Sequence, residues 1–240
     1  MVAADYNYGQ IISEWVKKYA AENGGEVVAV EFFPLDVSEF GPTIQKIQAA
    51  APDLVFSALV GGAHVSFYRQ WAAAGMKARI PLASSTFSHG QEQVVLSADE
   101  GAGITTLASY FESIDNDANR AFVKRWHARF GADYPVITEF AASTYAGMHL
   151  WARAVEMAGT TDRLPVIEAL ESGLSFDGPS GKLTIDPQTH HVTLDARLAV
   201  TENQKFNILN TWEQQAPLDT QAVCDLVKNP DDNQQYVITF

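Results

Sequence analysis

The feature that most constrains this chain is the regular alternation, over its first 110 or so residues, of short apolar runs with amphipathic stretches. Ile11, Ile12, Trp15, Val16 and Tyr19 form an apolar stripe at helical spacing within Ile11–Ala21, closed by the stop signals Asn23-Gly24-Gly25. Val27–Phe33 is β-branched and aromatic and reads as a strand, and Ile44–Ala51 reads as a helix. Leu54–Val60 is a strand-length apolar run between Pro52-Asp53 and Gly61-Gly62. Helix Val65–Ala74 and strands Ile80–Ala83 and Ile104–Tyr110 continue the series. Near-continuous apolar runs separated by helices are the signature of strands buried on both faces, so an α/β fold with a doubly wound parallel sheet is expected.

From Asn116 the pattern changes to three amphipathic helices, Asn119–Phe130, Glu139–Ala158 and Leu164–Ser172, which belong to a different layer or lobe. Past the Gly178–Gly181 turn, strands are expected at Lys182–Ile185, His191–Ala199 and Phe206–Trp212, and after Pro217 an irregular extension. Composition sets the outer limits. With 240 residues, 47% of them hydrophobic and 19% charged, the chain can build one or two lobes with real cores. Even Phe140–Val155 carries Ser143, His149 and Arg153, so no stretch approaches the roughly 20 apolar residues that span a bilayer, and membrane insertion is not expected. The net charge of −13, with no cluster of Lys or Arg, makes nucleic acid a poor partner. One cysteine, Cys224, supports neither an internal disulfide nor a cysteine metal site. The N-terminal residues show no basic segment, apolar segment or cleavage site of an export signal.

In an open α/β sheet the ligand crevice lies beyond the carboxyl ends of the strands, so the segments that follow strands are the candidates. Asp5-Tyr6-Asn7-Tyr8-Gly9 places two phenols and a glycine before the first helix. Tyr6 and Tyr8 each offer an apolar wall and a hydroxyl suited to a small polar solute; packing under the neighbouring helix is the competing arrangement. Val60-Gly61-Gly62 follows a buried strand, and without Cβ atoms its glycines admit close approach of a ligand or simply make a turn. It lacks the G-x-G-x-x-G of a dinucleotide fold. Ser84-Ser85-Thr86-Phe87-Ser88-His89 supplies hydroxyls after another strand, to hold an amide or carboxylate or to cap a helix.

Other chemistries are weakly supported. Ser85 as nucleophile with His89 as base, oriented by Asp99 or Glu100, lacks a G-x-S-x-G elbow, and the two residues share one loop. His190 and His191, as neighbours in a strand, point to opposite faces and do not chelate one ion, so neither metal nor cofactor is expected. Asp115 with Asp117, and Asp231 with Asp232, lie in polar segments that read as solvated surface.

Several stretches, in order, carry a family resemblance. They are Asp5-Tyr6-Asn7-Tyr8, Phe33-Pro34-Leu35 with Glu39-Phe40 and Ile44/Ile47, and Pro52-Asp53-Leu54-Val55-Phe56. Tyr110-Phe111-Glu112-Ser113-Ile114-Asp115, Glu139-Phe140-Ala141-Ala142-Ser143-Thr144-Tyr145 and Ile185-Asp186-Pro187-Gln188-Thr189-His190-His191 follow. Over about residues 1–215 the set resembles the type I periplasmic solute-binding proteins, and within them the amide- and urea-binding branch.

The resemblance implies two lobes closing on a ligand, of which this chain holds the second lobe (1–112), first-lobe helices (113–178), strands returning to the second lobe (179–215) and a C-terminal extension (216–240), with the N-terminal lobe largely missing. It implies ligand contacts from Tyr6, Tyr8, Val60 and Gly61 and from the Ser84, Ser85, Thr86 and Phe87 loop. Branched-chain amino-acid binders of the family tend to carry an acid in that loop for the ligand ammonium; its absence here points to a neutral amide-like solute. Gly9-Gln10 departs from the Pro and Arg that amide binders often have there, which leaves the solute open. The implied function is the substrate-binding component of an ABC transporter, partnered by a permease, periplasmic although this sequence has no export signal, and not an enzyme. A cytoplasmic amide-sensing regulator of the same fold is the alternative; branched-chain amino-acid binding and an amidase stand behind it. Helices around Phe140–Val155 that lack their first-lobe partners would leave apolar surface exposed, so self-association is expected.

Overall fold

Three-residue strands of small and β-branched residues start the chain: Val2, Ala3 and Ala4 are all buried, which places strand β1 (Val2–Ala4) in the middle of a sheet. The structure is a computed structural model that describes residues 1–234. Two compact units divide these residues, one made of 1–107 with 198–207 and the other of 108–197 with the remainder from 208.

In the first unit, helix α1 (Asn7–Glu22) leads to strand β2 (Glu31–Phe33), α2 (Gly41–Ala50) to β3 (Val55–Ala58), α3 (Gly61–Ala73) to β4 (Leu82–Ser84), and short helices α4 (Glu92–Val95) and α5 (Ala98–Gly101) to β5 (Thr105–Ala108). The strands run in the order β2-β1-β3-β4-β5, all parallel. The doubly wound sheet expected from the sequence is present. One difference is instructive: of the expected strand Val27–Phe33 only Glu31–Phe33 pairs, because β1 offers just Val2–Ala4 as partners, in the register Val2↔Glu31 to Ala4↔Phe33.

The core of this unit is built on α3, which buries Ala63, His64, Phe67, Tyr68 and Trp71 at helical spacing. Phe40, Val55, Leu59, Leu82, Phe87, Leu96 and Ile104 complete the cluster. Helix α5 starts with a capping box, in which Ser97 Oγ accepts from Glu100 N–H at 3.2 Å and Glu100 Oε2 accepts from Ser97 N–H at 2.8 Å. Helix α1 lies so close to β1 that a Cβ on Gly9 would stand 2.0 Å from the carbonyl oxygen of Ala4.

The second unit carries helices α6 (Asp117–Phe130), α7 (Glu139–Ala158) and α8 (Arg163–Glu171), close to the three expected. Strands β6 (Ser175–Gly178), β7 (Gly181–Ile185), β8 (Val192–Glu202) and β9 (Lys205–Gln215) follow, the last two running on into residues 198–207 of the first unit. Strand β6, absent from the sequence expectation, pairs antiparallel with β7 across the expected turn, Gly178↔Gly181. Ala146 and Leu150 of α7 pack on Phe176 and Leu183, and Ala154 packs on Val166 and Ala169 of α8. Buried Asn119 is fully used: its Nδ2 donates to the carbonyls of Glu112 and Ile114, and its Oδ1 accepts from the Tyr110 phenol at 2.8 Å. Of the expected irregular stretch 216–240, Leu218–Gln221 forms a short helix α9, and residues 235–240 lie outside the described residues. Among the described residues no helix is long and apolar enough to cross a membrane.

Two tests follow from this packing. Gly9→Ala drives a methyl group into a backbone carbonyl and is expected to cost about 1–3 kcal/mol of stability, read from denaturant unfolding; an unchanged midpoint would show that α1 moves away freely. Met148 and Trp151 stand 59% and 46% exposed on α7. Concentration-dependent association, suppressed by Trp151→Glu, is expected in sedimentation, whereas a wild-type monomer at every concentration would remove this face as a contact.

Candidate functional site

The strands β1, β3 and β4 are consecutive neighbours and parallel, so their carboxyl ends face one edge. The segments beginning at Asp5, Leu59 and Ser85 leave from that edge, each turning into a helix or loop. Tyr6 is in extended conformation at the N-terminus of α1 and Val60 likewise precedes α3, while Gly61 takes φ +65°, which favours glycine. A Cβ at Gly61 would also meet the Leu35 carbonyl oxygen at 3.3 Å. Both helices therefore start at the same edge, where partial positive charge gathers, although the Tyr8 N–H is taken by Asn7 Oδ1 at 2.9 Å and the Ala63 N–H by the Leu35 carbonyl at 3.4 Å.

The eight residues singled out from the sequence separate into three groups. Tyr6, Tyr8, Val60, Gly61 and Ser85 are exposed or half-buried at this edge. The two phenol rings stand 5.8 Å apart, and Tyr8 Oη and Ser85 Oγ share a hydrogen bond of 2.8 Å between β1 and β4 segments. Ser84 and Thr86 are buried beneath them. Phe87 is fully buried at 0% exposure and is a core residue, not a wall of the edge. The reason is the turn closed by His89 N–H on the Thr86 carbonyl at 3.0 Å, which folds the Phe87 ring inward onto Tyr68 at 5.1 Å and Phe206 at 6.0 Å, both edge-to-face.

Behind the edge lies a polar group that the sequence reading missed. The Tyr68 phenol is within hydrogen-bonding distance of His64 Nε2 (2.7 Å), Ser84 Oγ (2.9 Å) and Ser57 Oγ (3.3 Å). Ser84 Oγ also accepts from Thr86 N–H at 3.1 Å, and Thr86 Oγ1 donates to the Leu59 carbonyl at 2.7 Å while lying 3.3 Å from His64 Nε2. On the other side of the imidazole, His64 Nδ1 is 3.6 Å from Glu92 Oε1, and Glu92 Oε2 accepts from Gly90 N–H at 3.0 Å. Burial pushes the Tyr68 phenol well above its ordinary range, so it stays a neutral hydroxyl. The available signal was a histidine and a tyrosine four residues apart within the apolar stripe of α3, where Phe67 and Trp71 mark the buried face.

An open α/β sheet whose strand ends carry two tyrosines and a hydroxyl-rich loop characterises the first unit. Residues 1–205 match the periplasmic binding protein family, and the chain belongs to it. It is 30% identical over 199 residues to Leu/Ile/Val-binding protein homolog 6 of Brucella melitensis, spanning 80% of this chain and 50% of that protein. A solute-binding protein of an ABC transporter from Rhodopseudomonas palustris HaA2, solved in complex with p-hydroxybenzoic acid, superimposes with a TM-score of 0.77 at 28% identity over 90% of this chain and 60% of its own. A shorter match, 33% identical over 117 residues, is to a limonene hydroxylase of Geobacillus stearothermophilus, covering 48% of this chain and 21% of that one. The chain thus spans about half the length of the curated binding-protein relatives it matches.

Replacing Tyr68 by Phe leaves His64, Ser84 and Ser57 without their shared partner in a site that excludes water. A loss of about 1–3 kcal/mol is expected in chemical denaturation; a neutral result would mean that the hydroxyls re-pair among themselves.

Proposed function

We propose that this chain forms ligand-binding surface of the substrate-binding component of an ABC transporter, delivering a small solute to a permease in the periplasm, and that the solute carries no ammonium group. The observation that carries the reading is the Tyr6–Tyr8–Ser85 edge beside the first turns of α1 and α3, followed by a loop, Ser84–Gln91, with no carboxylate. Glu92, the next acid, already faces Gly90 N–H and His64.

Of the solutes that fit, a hydroxy aromatic acid is favoured. Two phenol rings supply flat apolar walls, the Tyr8 and Ser85 hydroxyls supply donors and acceptors, and helix N-termini favour an anionic group. The Rhodopseudomonas relative holds a molecule of this kind. Urea or a short amide is the second reading, supported by the neutral hydroxyls of Tyr8 and Ser85: such a solute has little apolar area and depends on aimed hydrogen bonds.

Titration calorimetry of the protein with 4-hydroxybenzoate, acetamide, urea and leucine separates these. Binding of 4-hydroxybenzoate is expected, weakened by about 0.5–1.5 kcal/mol in Tyr8→Phe through loss of one neutral hydrogen bond. Heat from acetamide or urea alone would select the second reading. Leucine bound as tightly as either would overturn both, because its ammonium would have found an acceptor outside the Ser84–Gln91 loop, Asp5 being the carboxylate nearest in sequence to the two tyrosines.

A further inference from the structure

The buried histidine behind the edge has no part in the ligand contacts described so far, yet its surroundings constrain it closely. Its ring is 2% exposed. Nδ1 faces the carboxylate of Glu92 at 3.6 Å, and Nε2 lies 2.7 Å from the Tyr68 phenol oxygen and 3.3 Å from Thr86 Oγ1. The Tyr68 hydroxyl donates toward Ser84 Oγ at 2.9 Å and Ser57 Oγ at 3.3 Å, and Thr86 Oγ1 gives its hydrogen to the Leu59 carbonyl. Both ring nitrogens thus meet polar groups that belong to, or bear on, the loop after β4.

That loop is the one that presents Ser85 to Tyr8. It is braced at its start by Ser84 and Thr86, which meet Tyr68 and His64, and near its end by Gly90, whose N–H rests on Glu92. Ser85 itself is tied by its N–H to the Ser57 carbonyl at 3.2 Å and by its hydroxyl to Tyr8. We infer that His64 is a positioning residue of the ligand edge: clamped between Glu92 and Tyr68, it fixes the Ser84–Glu92 loop. Groups packed around the imidazole are Tyr68 from its own helix, Glu92 from α4, the Thr86 hydroxyl and the Phe87 ring from the loop. The charges on neighbouring turns are Arg69 of α3 and Glu100 of α5, 3.9 Å apart, and the edge phenol of Tyr8 lies near enough to act on Tyr68. The inference concerns the positioning of the edge assigned above and rests on that reading for its ligand, but not for its structural part.

The test accordingly has a ligand-free arm and a ligand arm. In the ligand-free protein, amide exchange at Thr86 and Gly90 is expected to speed up about tenfold or more in His64→Gln, with the amides of β1 and β3 unchanged. Should His64→Gln fail to fold, Glu92→Gln carries the same loop-specific expectation. Loop amides indifferent to both substitutions would overturn the inference. In the ligand arm, affinity for 4-hydroxybenzoate is expected to fall about threefold or more in His64→Gln, through loss of the loop's fixed orientation. Equal affinity in the two proteins would refute the link from the clamp to the edge, and absence of any binding would count against the proposed ligand while leaving the exchange results to decide the clamp.

Discussion

A phenol oxygen carries one hydrogen, and Tyr68 places its own among three neighbours on α3, β3 and β4. Much of the ligand edge depends on how that hydrogen is shared. Ser57 and Ser84 are paired in register across β3 and β4, so their hydroxyls lie on one face of the sheet under α3. An apolar row in their place would fill the same volume and would still hold the helix on the sheet, since apolar burial has no direction. It would not hold the loop after β4 in one orientation. Hydrogen bonds weaken steeply away from linearity, and so the Tyr68 group fixes Ser84 and Thr86 in angle as well as in distance. Orientation, more than packing, is what the polar group adds to this core.

The alternation of strand and helix was legible because buried parallel strands have to be apolar throughout and the helices between them have to be apolar on one stripe. Strand lengths were less legible. A strand exists only where a neighbour offers partners, and nothing local to Val27–Val30 says that β1 is three residues long. Strand β6 was invisible for a related reason. Ser175–Gly178 has one large apolar residue, Phe176, and takes its strand character from pairing with β7. Glu139–Ala158, by contrast, is a helix by its own signals: Thr138 Oγ1 accepts from Ala141 N–H at the N-terminus and Gly159 adopts φ +67° at the C-terminus.

At the edge, topology decides which segments are present and local turns decide which side chains face out. The first is readable from order along the chain, which is why Tyr6, Tyr8, Val60, Gly61 and Ser85 lie where strands end. The second is not. Ser85 and Phe87 are two residues apart and would share a face in an extended segment, but the turn between Thr86 and His89 sends the ring inward while the hydroxyl stays with Tyr8. Sequence reading sought chemistry in the loops, where polar side chains are concentrated. His64 falls one residue before the helix expected at Val65–Ala74, and nothing in the sequence places Glu92 and Tyr68 on its two nitrogens.

For the ligand class proposed here, selectivity follows from what the loop after β4 does not offer. An α-amino acid brings an ammonium whose desolvation on closure costs several kcal/mol unless a carboxylate or a set of carbonyls replaces its water. Thr86 Oγ1 gives its hydrogen to Leu59 and lies under the surface, so it makes a poor substitute. A carboxylate or carbonyl ligand is in the opposite position. It needs donors, which the Tyr8 and Ser85 hydroxyls at the edge can supply, beside the positive ends of α1 and α3. A loop that displays hydroxyls and no carboxylate would thus leave an ammonium to find its acceptor elsewhere, so that discrimination of this kind needs no steric barrier.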